Sequence, residues 1–223
     1  MDAYHPNGFD DFRRIIREQS VLLDFKNTGD HYHLSDFHTD TVYFFPPILE
    51  RSLYRKACAE RLAAVMKEKK IDPRMDIDVL LGTDIKAMPL VNTLQDLVLG
   101  ALDHTRAMYM EEQDGELMLG QGFSLRDDER IYLVHLTGVS FRKPRRVIEA
   151  INRTITKTGG QPCVDGIMVL VDRSPEGSTW ERDFSAFQRI VGIKSPIIAY
   201  PADPEQCPRC LENAPLIDMR GIA

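Results

Sequence analysis

The feature that most constrains this chain is an alternation that begins after Pro73. An apolar run at Val79–Leu81 is followed by a helical stretch from Pro89 to Leu102, a second run at Ile131–Leu136, a helical stretch from Pro144 to Thr158, and a third run at Ile167–Val171. Strands that read as near-continuous apolar runs are buried on both faces, and strands separated by helices pair in parallel. The rhythm predicts an α/β fold with a parallel sheet flanked by helices. A further helix over Glu181–Val191 and a fourth sheet strand over Pro196–Tyr200 extend the pattern.

The interval 108–130 interrupts it. Gly115, Gly120 and Gly122 lie among acidic residues there, so the stretch reads as a hairpin or mobile loop rather than a crossover helix. Upstream, three-to-four spacing of apolar residues predicts helices over Phe9–Leu23 and Glu50–Lys70. Between them, residues 31–45 alternate aromatic and polar residues and stop at Pro46-Pro47, as a short strand pair does. The chain divides into a main body over 1–200, with this hood at about 24–47, and a Pro- and Cys-containing tail over 201–223.

The 223 residues, 43% of them apolar, are enough for a full core. A formal charge of −6 argues against a general duplex-binding surface, which needs clustered Lys and Arg. The basic cluster Arg142-Lys-Pro-Arg-Arg146 limits any nucleic-acid contact to a local one; its other reading is a solvated helix start. No run approaches a membrane span and the N-terminal residues lack signal-peptide character, which points to a cytoplasmic protein with no membrane partner. Four cysteines in a core-rich chain point to reduced thiols.

Three segments carry a resemblance. In the hood, Asp30–Asp40 followed by Tyr43-Phe44 fits a G-x-F-x-L-x-S-G-x-x-S pattern in spacing. Val79–Leu90 fits V-x-G-x-x-x-G-G-I-P-L at Gly82, Pro89 and Leu90. Glu149–Ile151, Gly159-Gly160 and Gly166–Arg173 fit a helix, a turn and a V-x-V-L-V-D-R strand. In these segments, and in the tail's Cys207-Pro-Arg-Cys210, the chain resembles the orotate-phosphoribosyltransferase branch of the type I phosphoribosyltransferases.

The resemblance implies a hood, a diphosphate loop, a 5-phosphate loop and a homodimer. It assigns Ser35, Asp36 and His38 to the hood, Thr83, Asp84 and Lys86 to the diphosphate loop, and Thr137, Gly138, Ser140, Arg142 and Lys143 to the phosphate loop before a helix N-terminus. It places His135, with Leu136, where the family's strand ends in two acidic residues that hold the ribose hydroxyls. Lys86 and Ala87 stand in for two glycines, and Glu111, Glu112 and Asp114 occupy the loop where relatives carry a lysine.

These departures imply a degenerate member, non-catalytic or repurposed, that binds a nucleotide, a ribose phosphate or a protein partner. The alternative is an active transferase that moves ribose 5-phosphate from phosphoribosyl diphosphate to a nucleobase with Mg²⁺. Cys207 and Cys210 are half of a zinc site or a redox pair. His31 and His33 share strand parity, and His38 joins them only if a turn intervenes; the plainer reading is a solvated aromatic strand. Lys86 also reads as an ordinary solvent-facing lysine.

Overall fold

Each of the apolar runs at 79–81, 131–136 and 167–171 becomes a strand in the computed structural model, and they lie side by side in one sheet. The structure describes residues 22–24, 28–34, 37–43, 49–99, 105–158, 164–175, 178 and 180–219. The strands in chain order are β1 (Leu22–Asp24), β2 (His31–Leu34), β3 (Phe37–Thr39), β4 (Thr41–Tyr43), β5 (Val79–Gly82), β6 (Arg106–Gln113), β7 (Glu116–Leu119), β8 (Ile131–Gly138), β9 (Val164–Asp172), β10 (Gln188–Lys194), β11 (Ala199–Pro201) and β12 (Leu216–Asp218). The helices are α1 (Ser52–Glu68), α2 (Pro73–Asp76), α3 (Met88–Leu99, entered through a 3₁₀ turn at Ile85–Ala87), α4 (Arg142–Thr158), α5 (Trp180–Asp183) and α6 (Pro208–Leu211).

The main sheet has the order β10-β9-β8-β5-β6-β7, and every pairing is parallel except β6 with β7. Strand alternation divides its side chains between two cores. Leu80, Tyr132, Val134, Met168 and Leu170 face Leu62, Val65 and Met66 of α1 and Leu90, Val91 and Leu94 of α3. Val79, Leu81, Leu133, Ile167 and Val169 face Val147, Ala150 and Ile151 of α4 together with Phe141, Trp180 and Phe184. The result is a three-layer α/β body with the strand C-termini of β5 and β8 side by side.

Two expectations need correction. Pro196–Tyr200 is not a strand of this sheet: β11 pairs antiparallel with β3 in a separate four-stranded sheet of order β11-β3-β2-β12. The edge strand is β10, which begins inside the stretch read as a helix over Glu181–Val191; of that stretch only Glu181–Asp183, the end of α5, is helical. Ile190, Val191 and Ile193 are β-branched and favour the pleat over a helix. Gly192 completes the fit, because a Cβ there would stand 2.6 Å from the Leu170 carbonyl oxygen on the neighbouring strand.

The glycine-bearing interval forms the expected hairpin, with its turn at Asp114-Gly115, where both residues have positive φ (52° and 82°). That combination suits the two-residue turn favoured between twisted strands. Its first strand also extends the parallel sheet beside β5, which the spacing of glycines did not reveal. The helix expected over Phe9–Leu23 lies mostly outside the described residues, and Leu22 and Leu23 at its end belong to β1, which pairs with β4. No helix among the described residues is long and apolar enough to cross a membrane.

Candidate functional site

Two loops meet where β5 and β8 end. After β5, the 3₁₀ turn is capped by Asp84, whose Oδ1 accepts from the Ala87 amide at 3.2 Å. Its other oxygen, Oδ2, lies 2.5 Å from Lys143 Nζ at the start of α4. The residues expected at the diphosphate loop and at the phosphate loop are therefore joined by an ion pair. Thr83, buried, lies with its Oγ1 2.8 Å from His135 Nδ1. Lys86 is exposed on the 3₁₀ turn.

Burial pushes the His135 pKa down to about 4, with the Lys143 ammonium adding to the fall and the Asp84 carboxylate opposing it. The ring is consequently neutral near pH 7. Leu136 beside it packs against the α1/α3 core. At the two positions where the resemblance calls for carboxylates, this chain presents one neutral imidazole and one aliphatic side chain.

The loop from Thr137 to Lys143 has a shape that its glycine and hydroxyls did not disclose. Phe141 adopts φ 52°, a left-handed conformation uncommon for a bulky residue. Its ring turns back under Gly138 and stacks on Trp180, with centroids 3.9 Å apart and planes 9° apart. A Cβ on Gly138 would lie 2.1 Å from Phe141 Cζ, so glycine is required for close approach rather than for its own φ. Among the described residues, the amides of Val139, Ser140 and Phe141 have no backbone acceptor. They lie just ahead of the 17-residue α4, where aligned peptide dipoles favour an anion. Thr137 and Gly138 close β8, opposite Val171 and Asp172; Ser140 and Arg142 are exposed.

The rest of the basic cluster is largely consumed within the chain. Arg145 pairs with Asp183 at 2.9 Å and Arg146 with Glu112 of the hairpin at 3.1 Å. Lys143, Arg145 and Arg146 are thus committed to internal carboxylates, which weakens the reading of a nucleic-acid patch. Glu112 is tied to α4 by the same pair.

Sequence reasoning missed a second group of residues, at the end of β9. Asp172 is buried; its Oδ1 accepts from the Ser174 amide at 2.9 Å and hydroxyl at 2.7 Å, and its Oδ2 has no hydrogen-bond partner among the described residues. Ser174 Oγ in turn accepts from Trp180 Nε1 at 2.9 Å. Arg173 reaches from the sheet to the hood, donating to the Thr41 carbonyl at 2.6 Å and hydroxyl oxygen at 2.8 Å. The Val-Asp-Arg pattern marked this strand end, but not the chain of contacts to Trp180.

Ser35 and Asp36 lie outside the described residues. His38 does not face this site. It sits across the hood hairpin from His33, and with His31 it is buried rather than solvated. Both rings turn toward the tail cysteines.

No family model matches the chain. It is 30% identical over 208 residues to the orotate phosphoribosyltransferase of Pelotomaculum thermopropionicum, covering 91% of this chain and 96% of that protein. It is 28% identical over 207 residues to that of Chlorobium phaeobacteroides, covering 91% and 90%. Among solved structures it resembles the orotate phosphoribosyltransferase of Aeropyrum pernix with a TM-score of 0.54 over 82% of this chain and 93% of that one; at 12% identity this likeness speaks for the fold alone.

Proposed function

We propose, from the premise that this chain belongs to the orotate-type branch of the type I phosphoribosyltransferases, that it acts in nucleotide metabolism by transferring ribose 5-phosphate from phosphoribosyl diphosphate to a nucleobase. The observation that carries the reading is the Asp84–Lys143 ion pair, which draws the two loops together at the strand ends. In open α/β sheets, ligands bind at the carboxyl ends of the strands.

In this reading the 5-phosphate takes the amides of Val139 and Ser140 at the start of α4, with Arg142 and Lys143 supplying charge. Lys86, exposed on the turn after β5, offers a cation to the diphosphate. Asp84, released from Lys143 when the lysine turns to phosphate, presents the carboxylate that the His135–Leu136 pair lacks. His135, held neutral and oriented by Thr83, offers a hydrogen bond to a ribose hydroxyl. A homodimer belongs to the same proposal.

The residues here do not by themselves build a Mg²⁺ site, because Mg²⁺ favours octahedral oxygen ligands and the carboxylate of the loop after β5, Asp84, is already engaged. Its oxygens serve Lys143 and Ala87.

A second reading, binding of a phosphoribosyl ligand without transfer, is favoured by His135 and Leu136 at the acidic positions and by Glu112 in the hairpin. One experiment separates the two. The protein is incubated with phosphoribosyl diphosphate, Mg²⁺ and a panel of nucleobases, diphosphate release is followed, and binding is measured in parallel by calorimetry. Release that depends on one base and disappears in Asp84→Asn supports transfer. Binding without release supports the second reading, and no binding at all overturns both.

A further inference from the structure

The hood sheet should not hold together on its own apolar core. Its strands are three or four residues long, and among the described residues the buried hydrophobic cluster beside it is Tyr32, Met219 and Val42 of the neighbouring β4. Segments far apart in sequence nonetheless meet there: β12 pairs in parallel with β2, and α6 lies against the β2–β3 hairpin. Small scaffolds with so little core are usually stapled, by disulfides or by a metal.

Four metal-binding side chains converge in this sheet. His31, His38 and Cys207 are buried and Cys210 is half-buried, and their ligand atoms all lie within 4.8 Å of one another. His31 Nε2 is 3.2 Å from Cys210 Sγ, and His38 Nδ1 is 3.5 Å from the same sulfur. Donors placed about 2.0–2.3 Å from a zinc ion at tetrahedral angles stand about 3.3–3.8 Å apart, so only a small contraction separates this cluster from a closed zinc shell.

The orientation of His31 is also settled. Its Nδ1 lies 2.9 Å from the Pro215 carbonyl oxygen, and a carbonyl oxygen only accepts; Nδ1 therefore carries the proton and Nε2 directs its lone pair at the cluster. Metal-bound histidines are held in this way by a partner on the other ring nitrogen. Around the cluster, Asp40 receives Arg209 at 3.0 and 2.8 Å and Tyr200 at 2.9 Å, locking the residue between the two cysteines onto the hairpin.

We propose that His31, His38, Cys207 and Cys210 form a structural Cys₂His₂ zinc site that clamps the C-terminal tail onto the hood. Four protein ligands fill the tetrahedron and leave no open position, which suits a structural rather than a catalytic ion. Two thiolates balance the 2+ charge, so the ion is neutralised inside the sheet. A redox role for the Cys-x-x-Cys pair would leave the two buried histidines without a purpose. The proposal does not depend on the transfer reaction.

The test uses the full chain expressed with zinc and kept reduced. The expected results are one zinc per chain, a tetrahedral two-thiolate spectrum after replacement with Co²⁺, and thiols at Cys207 and Cys210 that alkylate only after chelation. His31→Gln, His38→Gln, Cys207→Ser and Cys210→Ser should each lose stoichiometric metal, while His33→Gln, whose ring packs on His38 from outside the ligand set, keeps it. Absence of metal, a Co²⁺ spectrum without two thiolates, equal alkylation with and without chelator, or retention of metal by both histidine variants overturns the proposal. The Co²⁺ and alkylation readouts on the unaltered chain decide the matter even where a variant fails to fold.

Discussion

Lys143 Nζ lies 2.5 Å from Asp84 Oδ2 across a separation of 59 residues, so the start of α4 and the turn after β5 form one electrostatic unit. The lysine side chain is 38% exposed and the aspartate 26%.

For that reason the pair serves binding more than stability. Lys143→Met should change the free energy of unfolding by no more than about 1 kcal/mol, the usual range for a solvent-accessible pair. Affinity for ribose 5-phosphate should fall by about ten- to a hundredfold, the loss expected for a charge-assisted hydrogen bond. Calorimetric titration of both proteins checks this, and a variant that binds as tightly as the parent removes the loop from the site.

His135 gives the fold a dependence on pH. Its folded pKa is depressed to about 4, below the ordinary value of 6.5. In acid the unfolded chain takes up a proton that the folded chain resists, so this contribution to stability is full above about pH 6.5 and is lost as the pH falls toward 4. Allowing for partial exposure, it amounts to about 1–2 kcal/mol. Urea unfolding of wild type and His135→Gln at intervals from pH 7.5 to pH 4 should show the two curves converging in acid, roughly over that window. A constant gap would mean that the ring titrates normally.

Gly138 and Phe141 form the third relationship open to test. Gly138→Ala places a methyl group against the Phe141 ring, which cannot withdraw because it is stacked on Trp180. The substitution should cost about 1–3 kcal/mol by overpacking, and it should weaken phosphate binding by displacing the amides of Val139 and Ser140. Denaturant midpoints and phosphate titrations report the two effects, and an unchanged midpoint would show that the loop moves aside freely.

Much of the architecture is legible in the sequence. Val79–Leu81, Ile131–Leu136 and Ile167–Val171 are apolar because both faces of each strand are covered, and burial on both faces erases alternation in a way a sequence displays directly. Asp114-Gly115 announced a tight turn because few residues accept positive φ. The edge was harder to read. Gln188–Lys194 is half exposed, its alternation is broken by Gly192, and it follows a helical turn closely enough for the two to be read as one helix.

By itself, then, the sequence determined the α/β layering, the hairpin, the loops at 83–86 and 137–143, and the absence of two carboxylates at His135 and Leu136. All of these depend on residue identity and local spacing. Only the tertiary structure decided that Asp84 meets Lys143, that Phe141 folds beneath Gly138 onto Trp180, and that His31 and His38 meet Cys207 and Cys210. The ligand cluster spans more than 170 positions, and its closure depends on β12 pairing in parallel with β2. Periodicity reports which face of a strand a residue occupies, but strand order and register decide which distant residue shares that face.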